Sequence, residues 1–322
     1  MEILDNLLKN IIKHPEQGYA LYYYHNGNII NHTNGVLSTK DSQDITSFST
    51  FRLASVSKQF IAFGIVDLIL KGMLSFDTCI KTIFIELPDY FKDITVMNLL
   101  NHTSGIYDYE DMPHQEDDPQ LQDDDIITFL KTTDKTYFKV GTKYRYSNTA
   151  YILLGLIIKK ISGQSIGEYL EQNVFNKAGM FSTKVNYQGI TEIDNRAYGH
   201  LLENNELVVQ DQYWCSATIG DGGIYSSIND LKKWAMYLVN TPHFQEMRKA
   251  NYLGPNEYNC YGLGLRIIKH NNKEIIYHCG DTIGTNTLLL FSQELNLILI
   301  FLTNLGGIDT EIIKNNLLEI LK

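Results

Sequence analysis

Strand-forming sequence occupies the two ends of this 322-residue chain, and helix-forming sequence lies between them. Residues 18–37 read as a β-hairpin: GYALYYY, a turn at His25-Asn26-Gly27-Asn28, then IINHTNGVL. Asn-Gly between aromatic and β-branched runs marks a hairpin because both turn positions need φ > 0. From residue 258 the strand period returns in YGLGLRIIK, KEIIYHC, TNTLLLFS and LNLILIFLT, separated by turn residues. From about 80 to 200 the spacing predicts helices over 94–101, 126–133, 148–162 and 165–178. Gly163 and Gly179 stand where C-caps are wanted, and Ser165 to Glu168 is spaced as a capping box. Residues 309–321 read as a closing helix, and MEILDNLLKN with the two residues after it, which place Ile3, Leu4, Leu7, Leu8, Ile11 and Ile12 at helical spacing, as a docked terminal one. The pattern predicts an α+β fold: an antiparallel β-sheet flanked by helices, formed by both chain ends, with an inserted all-α domain. The division expected is 1–78 with 201–322 around a helical 79–200.

A 44% hydrophobic and 20% charged composition excludes wholesale disorder. The net charge of −10 argues against a nucleic-acid partner bound on a broad basic face. Nearly all of that charge sits in 108–125 (DYEDMPHQEDDPQLQDDD), which has acidic residues and no Lys or Arg. Such a run reads as a solvated loop, or as an acidic lip that repels anionic substrates. Apolar stretches such as Ile152–Ile158 and Leu297–Leu302 are far short of the ~20 residues that span a bilayer, so no membrane span is expected. No basic segment followed by an apolar one opens the chain, which as written reads as cytoplasmic, or as extracytoplasmic if a leader has been removed. Cys79, Cys215, Cys260 and Cys279 form no C-x-x-C pair, and the nine histidines no H-E-x-x-H, so neither a metal nor a cofactor is expected. Nothing in the sequence speaks to oligomeric state.

Three short patterns could carry chemistry. Ser55-Val56-Ser57-Lys58 opens the nearly all-apolar run KQFIAFGIVDLILKG, which describes a buried helix ending at Gly72. Positions i and i+3 share a helix face, so the Lys amine reaches the Ser hydroxyl, while the helix N-terminus favours negative charge on Ser Oγ. Tyr146-Ser147-Asn148 precedes a helix; a Tyr near a Lys can shuttle protons, and the Asn amide can bind both the Lys and a substrate amide. His278-Cys279-Gly280-Asp281 ends a strand, where a Gly leaves the strand edge open to substrate. Each tripeptide alone is weak: Tyr24-His25-Asn26-Gly27 satisfies Y-x-N and H-x-G at once, yet sits on a β-turn.

Order and flanks sharpen the reading. Phe51–Lys58 (FRLASVSK) resembles the nucleophile segment of the serine β-lactamase and penicillin-binding-protein superfamily, in its class C-like branch, which also holds esterases and D-amino-acid peptidases. ITVMNLLNHTSGI, VGTKYRYSNTAYILL, GGIYSSINDLKKW and YGLGLR, followed by HCG, resemble it in the expected order, over most of 48–305. The resemblance implies Ser55 as the acylated nucleophile, Lys58 as its general base or base partner, and Tyr146 as the group that protonates the leaving group and activates water. It implies Asn148, His278 and Gly280 as substrate-binding, and the N–H groups of Ser55 and Asp281 as the oxyanion hole, each donor typically worth ~3 kcal/mol of barrier. His102 is assigned to packing. His278 stands where β-lactamases of this kind usually carry Lys, which shifts the expectation toward ester or peptide substrates. The function expected is a metal-independent serine hydrolase forming an acyl-enzyme on a small-molecule or peptide substrate, an esterase or D-amino-acid peptidase rather than a dedicated β-lactamase. The alternative is a catalytically weak or inactive protein of this fold serving as a binding or sensing module.

Overall fold

The hairpin forms on the register its turn dictates. Asn26 and Gly27 take φ of 49° and 89°, and β1 (Tyr19–His25) pairs with β2 (Asn28–Asn34) through Tyr22 opposite Asn31. A computed structural model describes residues 2–115, 118–249 and 259–321; of the segments read above, Met1, Glu116, Asp117, residues 250–258 and Lys322 lie outside it. The hairpin leads into a short ribbon, β3 (Val36–Ser38) and β4 (Asp41–Asp44), and then β5 (Phe51–Arg52). Further along come β6 (Lys184–Val185), a second ribbon of β7 (His200–Glu203) and β8 (Glu206–Val209), and β9 (Ile224–Ser226). The last five strands are β10 (Asn259–Tyr261), β11 (Arg266–His270), β12 (Lys273–Thr282), β13 (Thr285–Ser292) and β14 (Leu297–Thr303).

Seven of these make one antiparallel sheet in the order β10-β11-β12-β13-β14-β1-β2, so the two chain ends meet where β14 pairs with β1 (Ile300 opposite Tyr22). A three-stranded sheet, β5-β9-β6, lies apart from it. The run YGLGLR is not one strand. It breaks at Gly264 (φ 70°), where a Cβ would stand 2.6 Å from the Lys58 carbonyl oxygen, and only glycine accommodates both the turn and the approach.

The helices are α1 (Glu2–Leu7), α2 (Lys58–Leu70), α3 (Ile80–Ile83), α4 (Val96–Leu100), α5 (Asp123–Thr132), α6 (Asn148–Ser162), α7 (Ile166–Leu170) and α8 (Asn176–Ala178), followed by α9 (Ile228–Leu238), α10 (Pro242–Met247) and α11 (Glu311–Ile320). Gly163 and Gly179 are left-handed C-caps, and Ser165 with Glu168 closes a capping box. Every residue of α2 from Lys58 to Leu68 is buried, as its all-round apolarity requires. The sheet has helices on both faces, which is why all of β13 is buried: Leu289 and Phe291 belong to the core shared with α2, α6 and α9, while Leu288 and Leu290 pack with Leu7, Ile313 and Leu317 of α1 and α11.

Candidate active site

Strand β5 delivers the chain to Ser55 through one strained residue. Ala54 has φ 47°, a left-handed conformation that costs a non-glycine residue about 1–2 kcal/mol, and a 3₁₀ turn over Ala54–Ser57 then runs straight into α2. The strain is offset by anchors on either side. Leu53 donates its N–H to the Ile224 carbonyl at 2.8 Å and accepts from Thr287 Oγ1 at 2.8 Å. Gly280 of β12 lies against the same turn: a Cβ there would be 2.1 Å from the Leu53 carbonyl oxygen and 3.2 Å from Ala54 Cβ. The glycine thus serves the close approach of β12 to the nucleophile turn, a different reason from the open strand edge expected of it. Next to it, the Asp281 carboxylate accepts from Asn286 Nδ2 at 2.8 Å, which gives its charge a partner beside the turn.

Lys58 has no exposed surface, and its ammonium meets three acceptors: Ser55 Oγ at 3.1 Å, Asn148 Oδ1 at 2.7 Å and the Asp221 carbonyl at 2.8 Å. A buried ammonium is tolerable only when its donors are matched in this way. The structure therefore brings Ser55 of the 3₁₀ turn, Lys58 at the start of α2 and Asn148 at the start of α6 into one hydrogen-bonded group. The Tyr146 ring stands 5.0 Å from Lys58 Nζ and 5.7 Å from the Arg266 guanidinium, while its buried Oη has no hydrogen-bond partner among the described residues.

His278 is 1% exposed and lies among aromatic rings rather than on the cleft. Its Nδ1 is 2.7 Å from the Cys279 carbonyl, which can only accept; the proton is therefore on Nδ1, and Nε2 accepts from Tyr261 Oη at 3.1 Å. Burial first, then the Arg266 charge, holds His278 well below the usual histidine range, so it is neutral. His102, at φ 61°, is likewise buried and neutral: it accepts the Ser147 N–H at 3.1 Å, and its ring lies 4.5 Å from that of Tyr146, tilted, and 4.5 Å from that of Tyr261, edge-on.

The cleft beside Ser55 is lined also by Arg52, Tyr109, Glu110, Asn148, Asp221 and Asp281. None of Arg52, Tyr109, Glu110 and Asp221 is singled out individually by the sequence, although Arg52 lies in FRLASVSK and Tyr109 and Glu110 in the acidic run read as a possible lip. Tyr109 Oη donates to Asp221 Oδ2 at 2.8 Å. Glu110 is exposed at the rim, yet its carboxyl faces inward and is pushed up to about 7, by desolvation first and then by the Asp221 and Asp108 charges. Two of these four come from the acidic run and one from the Gly220–Gly223 turn, so segment composition was the available signal, without its placement. The expectation of a solvated run is corrected in part: Asp108 and Asp123 are each only 6% exposed.

An antiparallel sheet with helices on both faces, and a Ser-x-x-Lys helix opening beside it, is the arrangement of the serine β-lactamases and penicillin-binding proteins. The chain belongs to the Beta-lactamase family, whose model matches residues 4–320. It is 28% identical over 312 residues to penicillin-binding protein 4* of Bacillus subtilis (strain 168), covering 91% of this chain and 69% of that one. The chain spans 62–69% of the length of the first curated relatives it matches. Among solved structures, the octameric penicillin-binding protein homologue from Pyrococcus abyssi superposes with a TM-score of 0.84 at 23% identity, over 99% of this chain and 76% of that one. D-amino acid amidase from Ochrobactrum anthropi SV3, complexed with D-phenylalanine, superposes with 0.80 at 22% identity, over 100% and 98%. Among the described residues, no helix is long and apolar enough to cross a membrane.

Proposed function

We propose that this protein is a serine hydrolase that cleaves small amides or esters through an acyl-enzyme on Ser55. The observation that carries the reading is the single hydrogen-bonded group of Lys58 with Ser55 Oγ, Asn148 Oδ1 and the Asp221 carbonyl at the mouth of a cleft. In this reading the acting form of the Lys58–Tyr146 pair holds one proton fewer than ammonium plus phenol, so that as Ser55 Oγ bonds to the acyl carbon the pair takes up the Ser55 hydroxyl proton. The oxyanion is held by the N–H groups of Ser55 and Asp281, by the N-terminus of α2, where the helix dipole favours negative charge. The C–N or C–O bond then breaks, the leaving amine or alcohol takes the proton, and water repeats the sequence in reverse to release the acid and restore Ser55. Asn148 binds the acyl amide. His278, neutral and tied to Tyr261, acts through the wall of the site, while Gly280 seats β12 against the nucleophile turn. We further read the chain as 1–78 with 201–322 around a helical 79–200, the first part supplying Ser55 and Lys58 and the second Tyr146 and Asn148.

Amino-acid amides and short esters are the substrates we favour. His278, neutral and sealed from the cleft, offers no cation to a substrate carboxylate, and Glu110 adds negative charge at a rim whose cationic lining residue is Arg52. The fold likeness to D-amino acid amidase supports the same choice. The experiment is labelling with a fluorophosphonate probe, with the modified peptide read by mass spectrometry, alongside turnover of p-nitrophenyl esters and D-amino-acid amides. Label on Ser55 and loss of both signals in Ser55→Ala are expected; undiminished labelling and turnover in that variant would sink the reading.

A further inference from the structure

Two carboxylates of the acidic run face backbone N–H groups instead of water or a cation. Asp108 Oδ2 accepts from the N–H of Asn148 at 2.8 Å and of Thr149 at 3.3 Å, across the N-terminus of α6. Asp123, at the start of α5, accepts from Ile219 N–H on Oδ1 at 2.7 Å and from Gly220 N–H on Oδ2 at 3.2 Å. The segments they hold are the two that carry the acceptors of Lys58 other than Ser55: Asn148 itself, and the carbonyl of Asp221, one residue past Gly220. The 219–221 turn is pressed so closely on α6 that a Cβ on Gly220 would lie 2.4 Å from the Tyr151 carbonyl oxygen.

We propose that Asp108 and Asp123 are positioning residues of the hydrolase reaction, whose carboxylates fix the two acceptors that aim Lys58 Nζ at Ser55 Oγ. The inference rests on the serine-hydrolase reading above and gives the acidic run a function inside the site. Around Asp123 the facing groups are Asp221 on the clamped turn, Asp124 on its own helix, Lys159 of α6, which pairs with Asp124 at 2.9 Å, and Tyr187 on the same flank. Burial pushes the Asp123 carboxyl up to about 7, and the Asp221 and Asp124 charges add to this against the two N–H donors. Once protonated, Asp123 turns an O–H toward an N–H, and one side of the clamp opens. The sign of the stability effect is opposite to that of the activity effect. A folded-state value above the ordinary carboxylate one means that ionising Asp123 costs stability as pH rises from that ordinary value to about 7, while the ionised form is the one that holds the turn.

The test is kcat/KM for a p-nitrophenyl ester against pH in the wild type, Asp123→Asn and Glu110→Gln, the last removing the other carboxyl raised to about 7. An acid limb near 7 is expected in the wild type and in Glu110→Gln and absent from Asp123→Asn. In Asp123→Asn, kcat at alkaline pH falls about ten-fold with KM changed less than about two-fold, and the melting temperature there is no lower than in the wild type. An acid limb that survives in Asp123→Asn, or a kcat unchanged from wild type, overturns the proposal. A readout independent of turnover and of that variant's folding is the pH titration of the Ile219 and Gly220 amide resonances in the wild type. A shared shift near 7 is expected, and flat resonances overturn the clamp. If Ser55→Ala keeps its turnover, the serine reading fails, while the amide titration still decides whether Asp123 holds the turn.

Discussion

Tyr146 and Glu110 show how differently single residues at this site can behave on substitution. Removing one partner of a buried hydrogen bond leaves the other unsatisfied and costs about 1–3 kcal/mol, whereas deleting a buried hydroxyl that has no partner does not. Tyr146 Oη is of the second kind among the described residues. Tyr146→Phe is therefore expected to melt at or slightly above the wild-type temperature while losing about 10²–10⁴ in kcat, if the phenol carries the proton. A fall in melting temperature with activity intact would reject that role. Glu110 titrates at about 7 at the rim of the cleft, so its negative charge appears as pH rises through that value. The rate ratio for a cationic over an anionic p-nitrophenyl ester is expected to climb about three-fold across this range at low salt. Glu110→Gln should flatten it, and a ratio that climbs equally in both proteins removes Glu110 from substrate selection. Ser55 and Lys58 could be read from sequence because their contact is made within one helical turn. Glu110 and Asp221 could not, since they meet Ser55 only through the fold.

At the scale of elements, local chemistry was legible and long-range contact was not. The hairpin, the capping box at Ser165 and the left-handed caps at Gly163 and Gly179 all depend on residues within four positions of one another. The expected helix 165–178 is instead interrupted by a π-helical stretch over Glu171–Phe175, where Asn173 Nδ2 donates to the Tyr169 carbonyl at 3.0 Å and competes with the backbone ladder. The run from Tyr261 breaks at Gly264 because α2 comes so close there. Gly280 is the element-scale test. Gly280→Ala puts a methyl into the Leu53 carbonyl and forces β12 off the nucleophile turn, so the rate of Ser55 labelling should fall about 10²-fold or more while the sheet's circular dichroism persists. Wild-type labelling would show that the contact relaxes without touching the site.

Over the whole molecule, one buried carboxylate ties three helices together. Asp67 of α2 accepts from Tyr169 Oη of α7 at 2.6 Å, pairs with Lys71 at 2.6 Å, and is met by His243 Nε2 of α10 at 3.2 Å, whose ring stacks on Phe63 at 3.9 Å. Burial alone would raise Asp67, but the bonds from His243, Lys71 and Tyr169 outweigh it and hold the carboxyl well below the usual range. A depressed folded-state value contributes stability that is present above the ordinary carboxylate pKa and lost as pH falls through and below it. Thermal melts of the wild type should therefore drop on acidification below that value. Asp67→Asn should melt lower at neutral pH, with that part of the acid dependence gone; an equal acid slope in both would assign it elsewhere. By itself the sequence determined the periods, the caps and turns, and the ordered motifs that mark the family, because hydrophobic period and turn chemistry act over a few residues. Only the tertiary structure decided that His278 is sealed from the cleft, that Gly280 serves the nucleophile turn, and that Asp108 and Asp123 are buried. Burial, desolvation and the backbone groups within reach of a carboxylate depend on which distant segments pack together, and composition carries no record of that.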